Sequence, residues 1–500
     1  MVGPAGSRRV CFRSANPGKR RLIPLAPYSS CLYTIRLISP DAPPRAPSNR
    51  DDPSVVPVHN ANNVRGFIMK RFPVAALSLM FCATSALAAA AEQNQTGGAM
   101  VALIEQRGEG HWAAVAQDGS ESEVVVQQEG MANRAGVTQN NVTHSNAVID
   151  QIGNRNSIEA TQDGRYAGAE LIQRGDDNHI GLLELAGEHY NTVLIVQDGE
   201  RNEADVTQTF MGDTKLYQNG ADNRVLIEQL QGDDFFITID QSGQENAHHI
   251  VQSGNYGTVR SQVVGDRNRI EVSQEGWVMS AQLDQTGDDN RIAATQRLDE
   301  YWRGTDLVAT QTGSGNAIDV EQDSNAHATL AQTGTGNEMV VRQTPNNDLT
   351  FTQNGSGNVF KVDQGGSENT ITGASTGNGN SVDMRQASNH NELQLSQDGD
   401  GNLVTIGQLG WSEIELAQTG DDNEAHIRHA SRFNELTLEQ VGEANLASVA
   451  QGGGVTEVQL LQHGTANQAD ITSYLSGSRA SVSQTGSGNS ATVSQRWVVR

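Results

Sequence analysis

The amino-acid sequence predicts an all-β fold: a β-solenoid of about 18 strand-turn-strand repeats of about 22 residues, with stacked, in-register Gln and Asn ladders. Three observations predict it. One phrase, Gln-x-Gly-x-x-Asn with a further Gln six residues on, recurs between residues 100 and 500. Between these amides, apolar residues alternate with polar ones, the period of a strand with one buried face. Of 12 prolines, only Pro345 lies beyond Pro73, so residues that remove a ladder donor are nearly absent where the repeats run.

The phrase is clearest in "QTGSGNAIDVEQ" (Gln311–Gln322), "QTGTGNEMVVRQ" (Gln332–Gln343) and "QTGSGNSATVSQ" (Gln484–Gln495). Its Asn serves as a marker, from Asn133 through Asn156 and Asn178 to Asn467 and Asn489, mostly 21 to 23 residues apart. His111 holds the slot one step earlier, which makes eighteen repeats. Gly stands three residues before the marker in all eighteen. Gln stands five before it in sixteen, with Val263 and Ser375 as exceptions. Gln stands six after it in fifteen, with Glu184, His429 and Ser473 as exceptions.

The first strand of each repeat follows the marker. Its second and fourth residues are apolar throughout except His248, as with Ile318 and Val320 before Gln322. The second strand has the same design, with Leu393 and Leu395 before Gln397. The Gln-x-Gly-x-x-Asn turn keeps its length, and its Gly suits a backbone with φ > 0. The other turn takes the insertions, including "RLDEYWRGTD" after Gln296, and contains Pro345. It is therefore expected to be a free loop.

An amide facing a core is costly unless hydrogen-bonded. Identical layers at the ~4.8 Å strand spacing let each amide meet a copy of itself above and below. A register slip of one residue would bury charges and expose Val and Ile. The structural ladder positions are accordingly Gln285, Asn290, Gln296, Gln311, Asn316, Gln322, Gln332, Asn337, Gln343, Gln353, Asn358, Gln364, Gln397, Asn402, Gln408, Gln484, Asn489 and Gln495. The turn glycines are Gly287, Gly313, Gly334, Gly355, Gly399 and Gly486. One repeat cannot offset the entropy of ordering its own chain, so the layers must stack to be stable.

The N-terminal region is a different kind of sequence. Residues 1–88 carry 12 Lys+Arg and 3 Asp+Glu; the remainder carries 22 and 56, a net of −34. All three cysteines, Cys11, Cys31 and Cys82, lie in this early part. From Met69, a short positive region (Lys70, Arg71), an apolar run from Phe72 and the Ala86-Leu87-Ala88 ending predict a signal peptide over 69–88. Residues 1–68 are then an over-long gene start or a disordered extension. Residues 89–99 read as a short leader and 100–500 as the solenoid. The exported chain would hold no cysteine and no disulfide.

Catalytic, cofactor and metal sites are not expected. The twelve histidines do not cluster with Cys or carboxylates at ligand spacing. His248 and His429 face inward as substitutions within the repeat, and the Gly-Asp-Asp turns at Gly175, Gly232, Gly287 and Gly420 read as solvated acidic turns rather than Ca²⁺ sites. The acidic balance is wrong for nucleic acid. Outward carboxylates are expected in columns of like charge.

In its repeated Gln-x-Gly-x-Gly-Asn-x-apolar-x-apolar-x-Gln phrase the chain resembles the curlin repeat of curli fibre subunits. The resemblance covers about residues 100–500. It implies a secreted structural subunit that self-associates into extracellular amyloid fibres of a biofilm matrix. The partners it implies are other curli-like subunits, an outer-membrane secretion pore and periplasmic chaperones. This chain has several times the usual number of repeats. The Gly- and Asn-rich export segment shrinks to little more than "EQNQTGG". A capped monomeric adhesin or fibre nucleator is the alternative.

Overall fold

Alternating side chains build the strands, and the amides and glycines between them build the turns. The computed structural model describes residues 89–187, 190–298 and 304–496. The predicted signal peptide and residues 1–68 lie outside the described residues, as do residues 299–303 of the longest insertion. Among the described residues there are 37 strands, β1 to β37 in chain order, and no helix.

Each repeat contributes two strands. After His111 come β3 (Trp112–Ser120) and β4 (Glu123–Met131), then the marker Asn133. Odd-numbered strands pair only with odd ones and even with even, all parallel. Thus β1 (Ala90–Gly98) pairs with β3, and β2 (Val101–Glu109) with β4. The layers stay in register: Gln311 pairs with Gln332, which pairs with Gln353. Among the described residues neither sheet closes on itself, and no strand pairs beyond β2 and β1 at one end or beyond β36 (Arg479–Ser487) and β37 (Ser490–Gln495) at the other.

The inward residues of both sheets form a single apolar core, running from Ala113 and Val115 to Ala480 and Val482. The fully buried Phe351 and Phe360 stack within it at a centroid distance of 3.7 Å. Pro345 lies between β23 (Glu338–Gln343) and β24 (Asp348–Ser356), clear of both ladders.

Two features differ from the sequence expectation. Most of the segment read as a leader is a strand: Ala90–Gly98 extend the odd sheet, with Gln95 opposite Gln117. The second turn is also more ordered than a free loop. It has its own left-handed residues, such as His144, Tyr166 and Asn346. Its backbone pairs from layer to layer, with Tyr166 N–H donating to Thr143 O at 3.1 Å. Stacking imposes one path on this turn wherever its length allows.

Candidate functional site: the amide ladders and the open ends

The Gln ladders are directional. In each sheet Gln Nε2 of one layer donates to Gln Oε1 of the next. Gln285 donates to Gln311 at 2.8 Å, Gln311 to Gln332 at 2.9 Å, and Gln332 to Gln353 at 3.0 Å. On the other sheet Gln296 donates to Gln322 (3.1 Å), Gln322 to Gln343 (3.0 Å) and Gln343 to Gln364 (2.8 Å). Gln397 donates to Gln418, and Gln484 accepts from Gln462. Gln408 accepts from Gln386, and Gln495 at the last layer accepts from the Ser473 hydroxyl. Nearly all of these side chains are buried; Gln495 on the open end is half-buried.

The Asn ladder ties three layers together. Asn290 Oδ1 accepts from both the backbone N–H and the Nδ2 of Asn316, and Asn290 Nδ2 donates to Gly313 O at 2.9 Å. Asn316 and Asn337 repeat this arrangement, Asn358 Oδ1 accepts from the Asn380 backbone N–H while its Nδ2 donates to Gly377 O, and Asn489 ends the ladder by donating to Asn467 Oδ1. Asn402 donates to Asn380 Oδ1 through its backbone and to Gly420 O through Nδ2. His111 imitates Asn at the first marker. Its Nδ1 accepts from Asn133 N–H at 3.3 Å while its Nε2 donates to Arg107 O at 3.0 Å. That pattern fixes the proton on Nε2.

The turn glycines complete this device. Gly287, Gly313, Gly334, Gly355, Gly399 and Gly486 all have φ between 108° and 126°. A Cβ at Gly313 would lie 2.0 Å from Gly334 O, the carbonyl that Asn316 Nδ2 reaches. The Gly is therefore required both by backbone conformation and by the approach of the next layer.

At two of the exceptions to the Gln pattern the ladder breaks on both sides. Val263 leaves Gln241 Nε2 and Gln285 Oε1 without partners, and Ser375 does the same to Gln353 Nε2 and Gln397 Oε1. Ser375→Gln should rejoin that ladder. The expected gain is about 1–2 kcal/mol, one recovered hydrogen bond at each neighbour. A thermal melt of the variant that is unchanged or lower would show that the site has no room for the longer amide.

The inward histidines take two different places. His429 stands in the Gln ladder, opposite Gln408 and Gln451. His248 stands instead in the apolar column, its Nε2 2.8 Å from Ser261 Oγ across the core. Burial pushes His429 down to about 4 and His248 down to about 3, so both are neutral at pH 7. Among the described residues, no group of three or more His, Cys, Asp or Glu side chains is placed to hold a metal ion.

The acidic turns are tied into the stack. Asp176 Oδ1 accepts from Asn154 N–H, and Asp177 forms a two-bond pair with Arg155. Arg201 pairs likewise with Asp222, and Arg267 with Asp289. These guanidinium contacts hold Asp177, Asp222 and Asp289 below the usual carboxylate range. In this column Arg and Asp are neighbours in three places, contrary to the expected columns of like charge, although Asp222 is followed by Glu245. A like-charge column does exist on the even sheet, where Glu392, Glu413, Glu435 and Glu457 stand opposite one another in turn. Burial, then Glu392, Glu435 and Glu415, raise Glu413.

Sequence reasoning missed two further elements. Asn347, Asn369 and Asn391 form a short second Asn ladder in the other turn, with Asn369 and Asn391 each donating to the Asn before. Its signal was an Asn four or five residues after Gln343, Gln364 and Gln386, blurred by the changing turn length. The residue before each marker is left-handed, and the hint was the Gly at 315, 336 and 357.

Residues 102–140 match the family model of the curlin associated repeat. The matched span holds two copies of the Gln, Gly and Asn/His device just described, from Gln106 to Gln139, and the later layers repeat its geometry as far as Gln495. Among curated proteins, none matches the chain.

Proposed function

We propose that the chain is a secreted structural subunit of extracellular, curli-like amyloid fibres, which polymerises end to end through the solenoid in a biofilm matrix and in adhesion. The observation that carries this reading is the match of the two open ends. Arg479–Gln495, the last layer, has the spacing of Val101–Gln117 in the first, with Gln484, Gly486 and Gln495 answering Gln106, Gly108 and Gln117. An open edge of parallel strands is a template for further strands, and here the template fits the chain itself. Export would follow cleavage near Ala88 and passage through the periplasm with chaperones and a dedicated pore; the curlin repeat supports that route. No enzymatic activity is proposed.

The test is electron microscopy of the exported chain with thioflavin binding. Fibres are expected, and mass spectrometry should find no peptide from residues 1–68. Particles that stay monomeric at every concentration would favour the other reading, a capped adhesin or nucleating subunit. That reading draws on one observation, the covering of β3 by β1.

Assembly should also quicken on acidification and with added NaCl. The exported chain carries a net of −34, so copies repel, and salt screens that repulsion over a Debye length of ~8–10 Å. A thioflavin lag time that lengthens on acidification or on adding salt would show that carboxylate repulsion does not govern assembly.

A further inference from the structure

The odd sheet has nineteen strands and the even sheet eighteen. Among the described residues, therefore, both ends of the solenoid finish on an odd strand: β1 at one end and β37 at the other. That half-layer matters when copies stack. If β1 of one copy sat on β37 of another, β2 and β36 would face each other two strand spacings apart, about 10 Å, with one slot unfilled. If β1 moved aside, β2 would pair with β36 and β3 with β37. The pairing would then continue residue by residue. Ala480 would meet Ala102, Val482 would meet Ile104, and Gln484 would meet Gln106. On the other sheet Ala491 would meet Ala113, Val493 would meet Val115, and Gln495 would meet Gln117. These are the register relations that hold between successive layers throughout the chain.

β1 is also the odd strand least suited to its place. Three of its side chains point inward: Ala91 over Ala113, Gln93 over Val115 and Gln95 over Gln117. Gln95 continues the ladder, donating to Gln117 Oε1 at 2.6 Å. Gln93 does not match its column. Its position is apolar in all eighteen later layers, from Val115 to Val493. An amide laid over Val115 gains little from burial and has no amide of its own kind to bond. Val493 of a second copy, in the same slot, would bury apolar surface instead.

We propose that β1 is a displaceable cover strand: it holds the edge of β3 that β37 of a second copy takes when copies stack head to tail. The inference rests on the end-to-end reading and gives it a gate. The isolated chain closes its own docking edge with a strand that a second copy outcompetes.

The test uses two substitutions at one position in the full chain. Gln93→Val fits the column and should hold β1 in place. It should lengthen the thioflavin lag roughly tenfold, the factor that about 1.4 kcal/mol of added apolar burial supplies. Gln93→Asp should loosen β1 and shorten the lag. Limited proteolysis should show β1 more protected in the first variant and less in the second, with the layers from β3 onward unchanged. If the parent assembles and both variants keep its lag, β1 is no gate, although end-to-end stacking stands. If Gln93→Asp slows assembly, β1 belongs to the joint rather than covering it, and the inference is overturned. If the parent never assembles, the end-to-end reading fails and the inference with it.

Discussion

Gly334→Ala should break the solenoid at its middle, while Gly336→Ala, two residues away, should be tolerated. A Cβ on Gly334 would lie 2.0 Å from Gly355 O, a backbone atom fixed by strand pairing and by the bond from Asn337 Nδ2. At φ 116°, an L side chain is strained even without that contact. The layer must open, and with it go the bonds that Asn316 and Asn337 make to the two carbonyls. The expected cost exceeds about 4 kcal/mol, the range reached when strain and a lost buried network combine. Gly336 also has positive φ, 64°, but a Cβ there meets nothing within 4 Å. Ala132, Ala444 and Ala466 occupy the same slot in other layers with φ of 56°, 55° and 53°. Its cost should stay near 1–2 kcal/mol, the ordinary penalty of a left-handed residue. Because each layer touches only its neighbours, the damage stays local. Limited proteolysis reads it, with new cleavage between residues 334 and 355 in Gly334→Ala alone. Equal resistance of the two variants would mean that the layers can separate to admit a methyl group.

This contrast shows which parts of the structure were legible in the sequence. The strands, the inward face and the two Gln ladders follow from a period of two and from amides that return at fixed offsets. The need for Gly334 was legible as a conformation, but the contact with Gly355 O belongs to stacking and has no local signature. Ion pairs such as Arg201 with Asp222 were hidden for a related reason. The partners are 21 residues apart, and only the register brings them to a shared turn. The segment Ala90–Gly98 was misread because Gln93 breaks the apolar pattern, although Gln95 and Gly97 keep the marker spacing. The second turn was misread because its length changes, although its layers still stack.

Glu184→Gln should stabilise the chain, and the gain should grow as pH rises. Glu184 is buried in β9 (His179–Gly187), opposite Gln162 on one side and Gln208 on the other. Gln162 Nε2 donates to its Oε2 at 2.9 Å. Glu184 makes no hydrogen bond to Gln208 in the next layer, and the ladder loses its direction there. Gln208 Oε1 accepts from the Thr214 hydroxyl instead, while Gln208 Nε2 and Gln229 Oε1 are left without partners. Burial outweighs the Gln162 hydrogen bond and the nearby Gly168 amide, and pushes Glu184 up to about 8 from the ordinary 4.5. The folded carboxyl thus keeps its proton over a window where the unfolded one has lost it. The contribution of that proton to stability is whole below pH 4.5, shrinks as pH rises, and is gone above about 8. Across that window the parent loses at most about 5 kcal/mol at this layer. Glutamine has the same shape, carries no charge, and supplies the Nε2 that the Gln208 side lacks. At pH 4.5 the gain should be about 1 kcal/mol, from one restored hydrogen bond; at pH 8 it should be several-fold larger. Amide hydrogen exchange over residues 179–208 at the two pH values measures the difference. A gain that stays the same at both would place the Glu184 proton outside the stability of the stack, and a loss at both would mean that the carboxyl is a better ladder member than the amide.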